Sequence, residues 1–392
     1  MTLPLEGIKI IDLSIYLPGP LCSQMLADFG AEVIKIEPLN GESGRWLNPF
    51  LGGQGALFYQ VNRNKKSMAL NLKTEAGKEI FKGLVQQADV LLEQFRPGVM
   101  EKMGLGYEDL KTINPGLVYC SVTGYGHSGP FKYVAGHDLN YQSTAGITGL
   151  NGDIRKPAMS GVQTADIGGG SLHAVIAILL ALMARKTTGK GQFCDVSMLD
   201  GAISFLPYCL GGWSSQGELP ERGQGVLSGG YACYQIYGTA DGQYVSLGAI
   251  EEKFWQGFCE KIGFPEYIEW QWVANKQEEM IRTIEARMKT RTCSEWTQFF
   301  ADDDICFAPV LNLQEMSEHP QVKARNMIMT VENFKDTGKD LMIMGNPIKL
   351  SDTPAIVKNE FAEIGQNTDE ILQQLGYSRD TIDRLRAEKA IK

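Results

Sequence analysis

The stretch GYGHSGPFKYVAGHDLNYQ, from Gly124 to Gln142, carries signals for two different chemistries. Gly124-x-Gly126-x-x-Gly129 has the spacing of a dinucleotide-binding turn. Such a turn follows the first strand, opens a helix and finds an acidic residue about twenty positions on. Here the first strand pattern runs into LSIYLPGPLC, which lacks the glycines, and Gly129 is followed by Pro130 and a loop. The glycines therefore predict no nicotinamide site. His137 beside Asp138 is the stronger candidate. Histidine is the commonest general base near neutral pH, and loops beyond strand ends are where α/β sheets place ligands. The bland alternative is a turn residue bonded to nearby backbone.

Asp166 stands just before Gly168-Gly169-Gly170 at the start of an apolar helical run. It would serve as an N-cap. The same geometry, with glycines that let a ligand approach the backbone, would hold an anion. Glu251 follows a β-rich run, and its local sequence fits a solvated edge charge or a helix cap. Arg63, Lys65 and Lys66 in NRNKKS read as ordinary solvated charge. Arg96 follows a buried strand pattern and precedes Pro97-Gly98, a rigid turn able to hold a guanidinium against phosphate. Of the remaining histidines, His127 shares the loop with His137, His173 lies in the apolar helix and His319 precedes Pro320.

The elements that must position these residues alternate. GIKIIDLS, EVIKIE, SMALNL, DVLLEQ and LVYCSV read as strands. PGPLCSQMLADFG, TEAGKEIFKGLVQQA with Thr74 as N-cap, and GVMEKMGLGYEDLK read as helices between them. The alternation predicts parallel βαβ units and a doubly wound α/β fold, with a large domain over 1–210. DIGGGSLHAVIAILLALMARK reads as a long buried helix, and QFCDVSM as a further strand. The Gly, Ser and Pro of 211–230 read as a linker. A smaller α/β domain over 231–327 opens with a hairpin turning at Asp241-Gly242. Residues 328–392 read as a connection ending in two short amphipathic helices.

At 392 residues, 43% of them hydrophobic, the chain can fill two cores. The formal net charge of −9 disfavours a nucleic-acid partner. No run of ~18 uninterrupted apolar residues predicts a membrane span. MTLPLEGIKIID leads straight into a strand pattern and does not read as a signal peptide. The eight cysteines are scattered singly, which predicts reduced thiols, a cytoplasmic setting and no structural metal site.

Taken together, GIKIIDLSIYLPGPLCSQMLADFGAEVIKIE, NRNKKSMALNLKT, QFRPGVMEKMGLGYEDL, GYGHSGP, AGHDLNYQSTAG, ADIGGG, TADGQYVSLGAIEEKFW and DICFAPVLNLQEMSEHPQVKARNM resemble the family III CoA-transferase and α-methylacyl-CoA racemase superfamily. The resemblance spans nearly the whole chain. It implies a large Rossmann-like domain without nicotinamide, a smaller second domain, an interlocked homodimer, and last helices that return to the first domain. Transferases of the superfamily share one aspartate, which falls on Asp166. The racemase branch adds the histidine of a GHD motif and a glutamate after GAI, which fall on His137 with Asp138 and on Glu251. Coenzyme A contacts fall on Arg96, Lys65 or Lys66, and Tyr141. One departure stands out: relatives carry an arginine just after the VIKIE strand, where this chain has Pro38 and Leu39, leaving Arg45 as the possible substitute.

The resemblance implies two reactions. In the first, a racemase inverts the α-carbon of a 2-methylacyl-CoA thioester through an enolate. His137 serves one face and Asp166 the other, Glu251 fixes the imidazole tautomer, and amides near Asp138 or the glycine-rich helix start hold the enolate oxygen. In the second, Asp166 attacks an acyl-CoA and passes coenzyme A between carboxylic acids through an aspartyl thioester. The glycine segment Leu227–Gly230 would shield that intermediate. Both need an acyl-CoA partner, and neither needs a metal or a redox cofactor.

Overall fold

Six hydrophobic runs pair into one parallel sheet in a computed structural model that describes residues 2–392. They are β1 (Lys9–Asp12), β2 (Glu32–Glu37), β3 (Lys65–Ala69), β4 (Val90–Glu93), β5 (Val118–Thr123) and β6 (Phe193–Ser197). Their order is β6-β5-β4-β1-β2-β3, with Ile10 opposite Val33 on one side and Val90 on the other. All residues of β4 and β5 are buried, as expected of strands covered on both faces. Chain order reverses between β1 and β4, and that reversal opens a crevice beyond their carboxyl ends.

Local sequence explains the flanking helices. Pro18 and Pro20 start α1 (Pro18–Asp28), where their missing N–H groups cost nothing. Thr74 caps α2 (Glu75–Gln86) by accepting the Gly77 N–H at 3.0 Å. Ile80, Phe81, Leu84 and Val85 of α2 face a core shared with Ile11, Ile34, Met68, Leu91 and Tyr119. The tail joins the same core through Ile371 and Leu372 of the penultimate helix (Thr368–Gln374), and through Ile382 and Leu385 of the last (Arg379–Ala387). Leu70 forms an isolated antiparallel bridge with Ile391.

Two compact units divide the chain. The first comprises Met1–Ala145, Val162–Phe205 and Gln321–Lys392. The second comprises Gly146–Gly161 and Leu206–Pro320. Its antiparallel sheet runs β7 (Tyr234–Gly238), β8 (Tyr244–Gly248) and β9 (Phe307–Pro309). Tyr237, Val245, Trp255, Phe258, Met280 and Trp296 fill its core. The linker expected over 211–230 is corrected: it belongs to the second unit and begins inside a helix, Pro207–Gln216. Pro207 opens that helix, and Gly217, at φ 73°, ends it. Of the residues read as linker composition, Gly211, Gly212, Ser214 and Ser215 lie inside this helix and Gly217 caps it.

The long apolar run forms one helical stretch, Ala165–Thr188, whose first eight residues are π-helical and whose remainder (His173–Thr188) is α-helical. Ala174, Ile178, Ala181 and Leu182 are buried, whereas Ile176, Leu180 and Met183 are 51–64% exposed. By length and hydropathy this helix alone, among the described residues, would suffice to cross a bilayer. The sequence expectation differs because glycines, Ser171 and His173 interrupt the apolar run.

Candidate active site

Beyond the carboxyl ends of β1, β4 and β5 lies a cavity of about 1050 Å³. Ile15, Tyr16 and Leu17 line it after β1, Gln94, Phe95 and Arg96 after β4, and Gly124 and Tyr125 after β5. His137, Tyr141 and Asp166 line the same cavity. The expected pair, His137 and Asp166, thus faces one space within the first unit.

His137 occupies the N-cap position of a short helix, Asp138–Thr144, in extended conformation, and its backbone N–H donates to Asn140 Oδ1 at 3.1 Å. Its side chain is exposed. Asp138 has a different task. Its Oδ1 accepts the N–H groups of Ala165 (2.8 Å) and Asp166 (3.0 Å), and its Oδ2 accepts from Gln142 Nε2. Asp138 therefore caps the helix that bears Asp166 instead of moving protons itself. The expectation that amides at this helix start hold an enolate oxygen is corrected too, because those of Ala165 and Asp166 already have an acceptor.

Asp166 is half-buried. Burial, and secondarily the charge of Asp138, push its carboxyl up to about 7. The glycines behind it serve packing. A Cβ on Gly169 would stand 2.5 Å from the Met198 carbonyl oxygen, and one on Gly168 would stand 2.6 Å from Phe205 Cζ. They admit a neighbouring helix (Met198–Ile203) and the Phe205 ring, not a ligand.

The first glycine of the fingerprint has a similar cause, whereas Gly126 and Gly129 take left-handed φ values of 82° and 79°. A Cβ on Gly124 would lie 2.5 Å from the Tyr141 ring, and one on Gly136 2.7 Å. Tyr141 also donates its hydroxyl to the Gly136 carbonyl, fixing the His137 loop. His127 faces Ser121 Oγ at 2.7 Å and lies edge-on to Phe193, and it does not line the cavity.

The basic residues separate sharply. Arg96 is exposed in the cavity wall, on a turn braced by the Phe95 N–H to Glu93 Oε2 bond (2.7 Å). Lys65 does not reach the cavity, which corrects its expected coenzyme contact. Its ammonium is buried against Asp12 Oδ2 (3.1 Å), the Pro20 carbonyl and Asn62 Oδ1. Lys66 pairs with Glu32 and Glu370. Arg45 is no substitute for the missing arginine, since it is fully buried on Glu37 (2.6 Å) and stacked over Phe58. Burying a charge requires a partner, and NRNKKS supplies Arg63 to Asp28 and Lys65 to Asp12, while Lys66 stays partly exposed beside Glu32. Sequence reasoning missed Lys132, a half-buried cation of the cavity wall. It also missed the conformation of Tyr16, whose φ of 62° marks a constrained loop; no residue type signalled either.

Glu251 belongs to the second unit, exposed at the N-cap position of the helix Glu252–Ile262. Leu227, Ser228 and Gly229 border a separate cavity of about 550 Å³ in that unit. No cluster of His, Cys, Asp or Glu able to hold a metal ion occurs among the described residues.

A family model described as CoA-transferase family III matches residues 5–368. The chain is 35% identical to the human alpha-methylacyl-CoA racemase, over 99% of this chain and 97% of that protein. It is 33% identical to the human succinyl-CoA:glutarate CoA-transferase, over 95% and 86% respectively. Its fold is similar to that of a CaiB/BaiF family protein from Brucella suis, with a TM-score of 0.84 and 31% identity, over 96% of this chain and 100% of that one.

Proposed function

Since the chain belongs to CoA-transferase family III, we propose that it is an acyl-CoA racemase of the α-methylacyl type. A hydrogen beside a thioester carbonyl is weakly acidic, and its removal leaves a planar enolate. Inversion needs one group to take the proton from one face while another delivers a proton to the opposite face. For one hand of substrate, neutral His137 takes the proton and becomes imidazolium while protonated Asp166 gives one and becomes carboxylate; the other hand runs in reverse. The two directions thus need Asp166 in opposite protonation states.

The observation that carries this reading is the Asp166 carboxyl, held up to about 7 in the same cavity as His137. At an ordinary carboxyl value, on the order of one molecule in a thousand would be protonated at neutral pH. Here both forms are populated. Arg96 and Lys132 supply the cationic wall for coenzyme phosphates, and Tyr141 holds the His137 loop. The assignment of Glu251 to the second imidazole nitrogen rests on the family resemblance. The homodimer rests on that resemblance and on the apolar face of Ile176, Leu180 and Met183, which a second copy would cover. No metal enters the scheme; coenzyme A arrives with the substrate.

In deuterated water, either enantiomer of a 2-methylacyl-CoA is expected to gain deuterium at the α-carbon, and His137→Ala to abolish interconversion of the two hands. A wild-type enzyme that exchanges nothing overturns the proposal. The second reading is transfer of coenzyme A between carboxylic acids, supported by the near-equal identity to the succinyl-CoA:glutarate CoA-transferase. It requires an acyl anhydride and then a thioester on Asp166. Hydroxylamine added with acyl-CoA would convert Asp166 to its hydroxamate, and an unmodified aspartate excludes it.

A further inference from the structure

Asp166 sits in a widened turn. Residues 165–172 are π-helical, an arrangement rare over eight residues and prone to relax into the α-helix that follows. Something outside the backbone ladder must hold it. One clamp is a glycine seam: a Cβ on Gly201 would stand 2.4 Å from Gly169 Cα, so the neighbouring helix fits only against this turn. A second is the buried Ser171 hydroxyl, which donates to the Asp166 carbonyl at 3.3 Å.

The third clamp is His173, which the proposed chemistry leaves without a task. Its Nδ1 lies 2.7 Å from the Gly168 carbonyl oxygen. A carbonyl only accepts, so Nδ1 must carry the proton, and Nε2 faces Ser204 Oγ at 3.4 Å. The Ser204 hydroxyl also lies 2.6 Å from the Gly201 carbonyl, on the opposing helix of the glycine seam, and its single hydrogen serves either that carbonyl or the unprotonated Nε2. The Phe205 ring packs against both Gly168 and the imidazole. The histidine thus ties the floor of the widened turn to the helix that supports it.

We propose that His173 is a positioning residue for Asp166: its Nδ1–H bond to the Gly168 carbonyl maintains the π turn, and the turn sets where the carboxyl stands and how far it is withdrawn from water. This deepens the proposed function in its kinetic consequences, and rests on it only there. Asp138 supplies the charge that acts on the same carboxyl, from the far side of the turn. Losing the His173 bond would let the turn relax while leaving the Asp138 cap as the remaining restraint.

Two substitutions divide the possibilities. His173→Phe keeps a ring and removes the donor, and His173→Asn keeps a donor near the Nδ1 position. The readouts are the Asp166 carboxyl titration, followed by carbon-13 NMR and assigned with Asp166→Asn, and the pH profile of α-deuterium exchange. His173→Phe is expected to move the titration midpoint by half a pH unit or more and lower kcat about tenfold, with KM within twofold. His173→Asn is expected to stay close to wild type in all three. A folded His173→Phe with unmoved midpoint and pH profile reduces His173 to a packing residue and overturns the proposal. If His173→Phe does not fold, nitrogen-15 NMR of the wild-type imidazole decides: an Nε2–H tautomer overturns the proposal, and Nδ1–H supports it. An enzyme that exchanges no deuterium sinks the racemase reading alone, because the carboxyl titration still tests His173.

Discussion

Asp138 and Asp166, twenty-eight positions apart, share one hydrogen bond in which the carboxylate of the first holds the backbone N–H of the second at 3.0 Å. The cap positions the later carboxyl and, by repulsion, raises its affinity for a proton. Replacing Asp138 by Asn keeps an acceptor and removes the charge. The apparent Asp166 midpoint in the exchange profile is expected to fall, though only in part, since burial is the larger cause. Asp138→Ala removes the cap as well and is expected to cost about 1 kcal/mol, read by denaturant titration. An unmoved midpoint in Asp138→Asn would show that the two carboxylates are electrically independent.

The same carboxyl ties stability to pH. Its folded pKa lies above the unfolded value, so the native state binds the extra proton between them. The associated stability is present in full below about pH 4 and is lost as pH rises through about 7. Asp166→Asn, which cannot charge, is expected to melt about 2–4 °C above wild type at pH 8.5 and level with it near pH 4. Equal melting temperatures at both pH values would contradict the raised value.

Arg96 and Lys65 should fail in opposite ways. Arg96→Ala is expected to raise KM for acyl-CoA about tenfold or more with an unchanged melting temperature, because it removes an exposed cation from the cavity wall. Lys65→Met strands the buried Asp12 carboxylate and is expected to cost about 3–5 kcal/mol while leaving the KM of surviving protein near wild type. If Lys65→Met were as stable as wild type and weak in acyl-CoA affinity, the expectation made from sequence would be right after all.

The apolar face of the long helix offers a test of assembly. Leu180→Glu with Met183→Glu places two charges on exposed positions and leaves the buried Ala174 and Ile178 untouched. Sedimentation is expected to shift from dimer to monomer. A double variant that sediments as wild type places any dimer contact elsewhere.

Much of this was legible in the residues. Alternating apolar runs, Pro18 and Thr74 located the sheet and its helices, because burial and capping are local and leave local marks. His137 and Asp166 were legible by type and position, and they line one cavity. What the sequence hid were choices made in three dimensions. Lys65 looks like any surface lysine until its ammonium meets Asp12, fifty-three positions away. Glycines near Asp166 suggest ligand approach, and only the Met198 carbonyl reveals that they admit a helix. The FAP strand is too short to show a period, so the third strand of the small sheet left no signal.

The interleaving of the first unit has a consequence for synthesis. Its core needs Ile371, Ile382 and Ile391, whereas the sheet they cover is complete at Ser197. At about 5–20 residues per second, a nascent chain carries that sheet partly uncovered for on the order of ten seconds or more. The second unit, contributed mainly by Leu206–Pro320, emerges whole in the meantime. Ribosome-bound chains ending before the last two helices should therefore present a folded second unit beside a first one that proteases and chaperones still recognise.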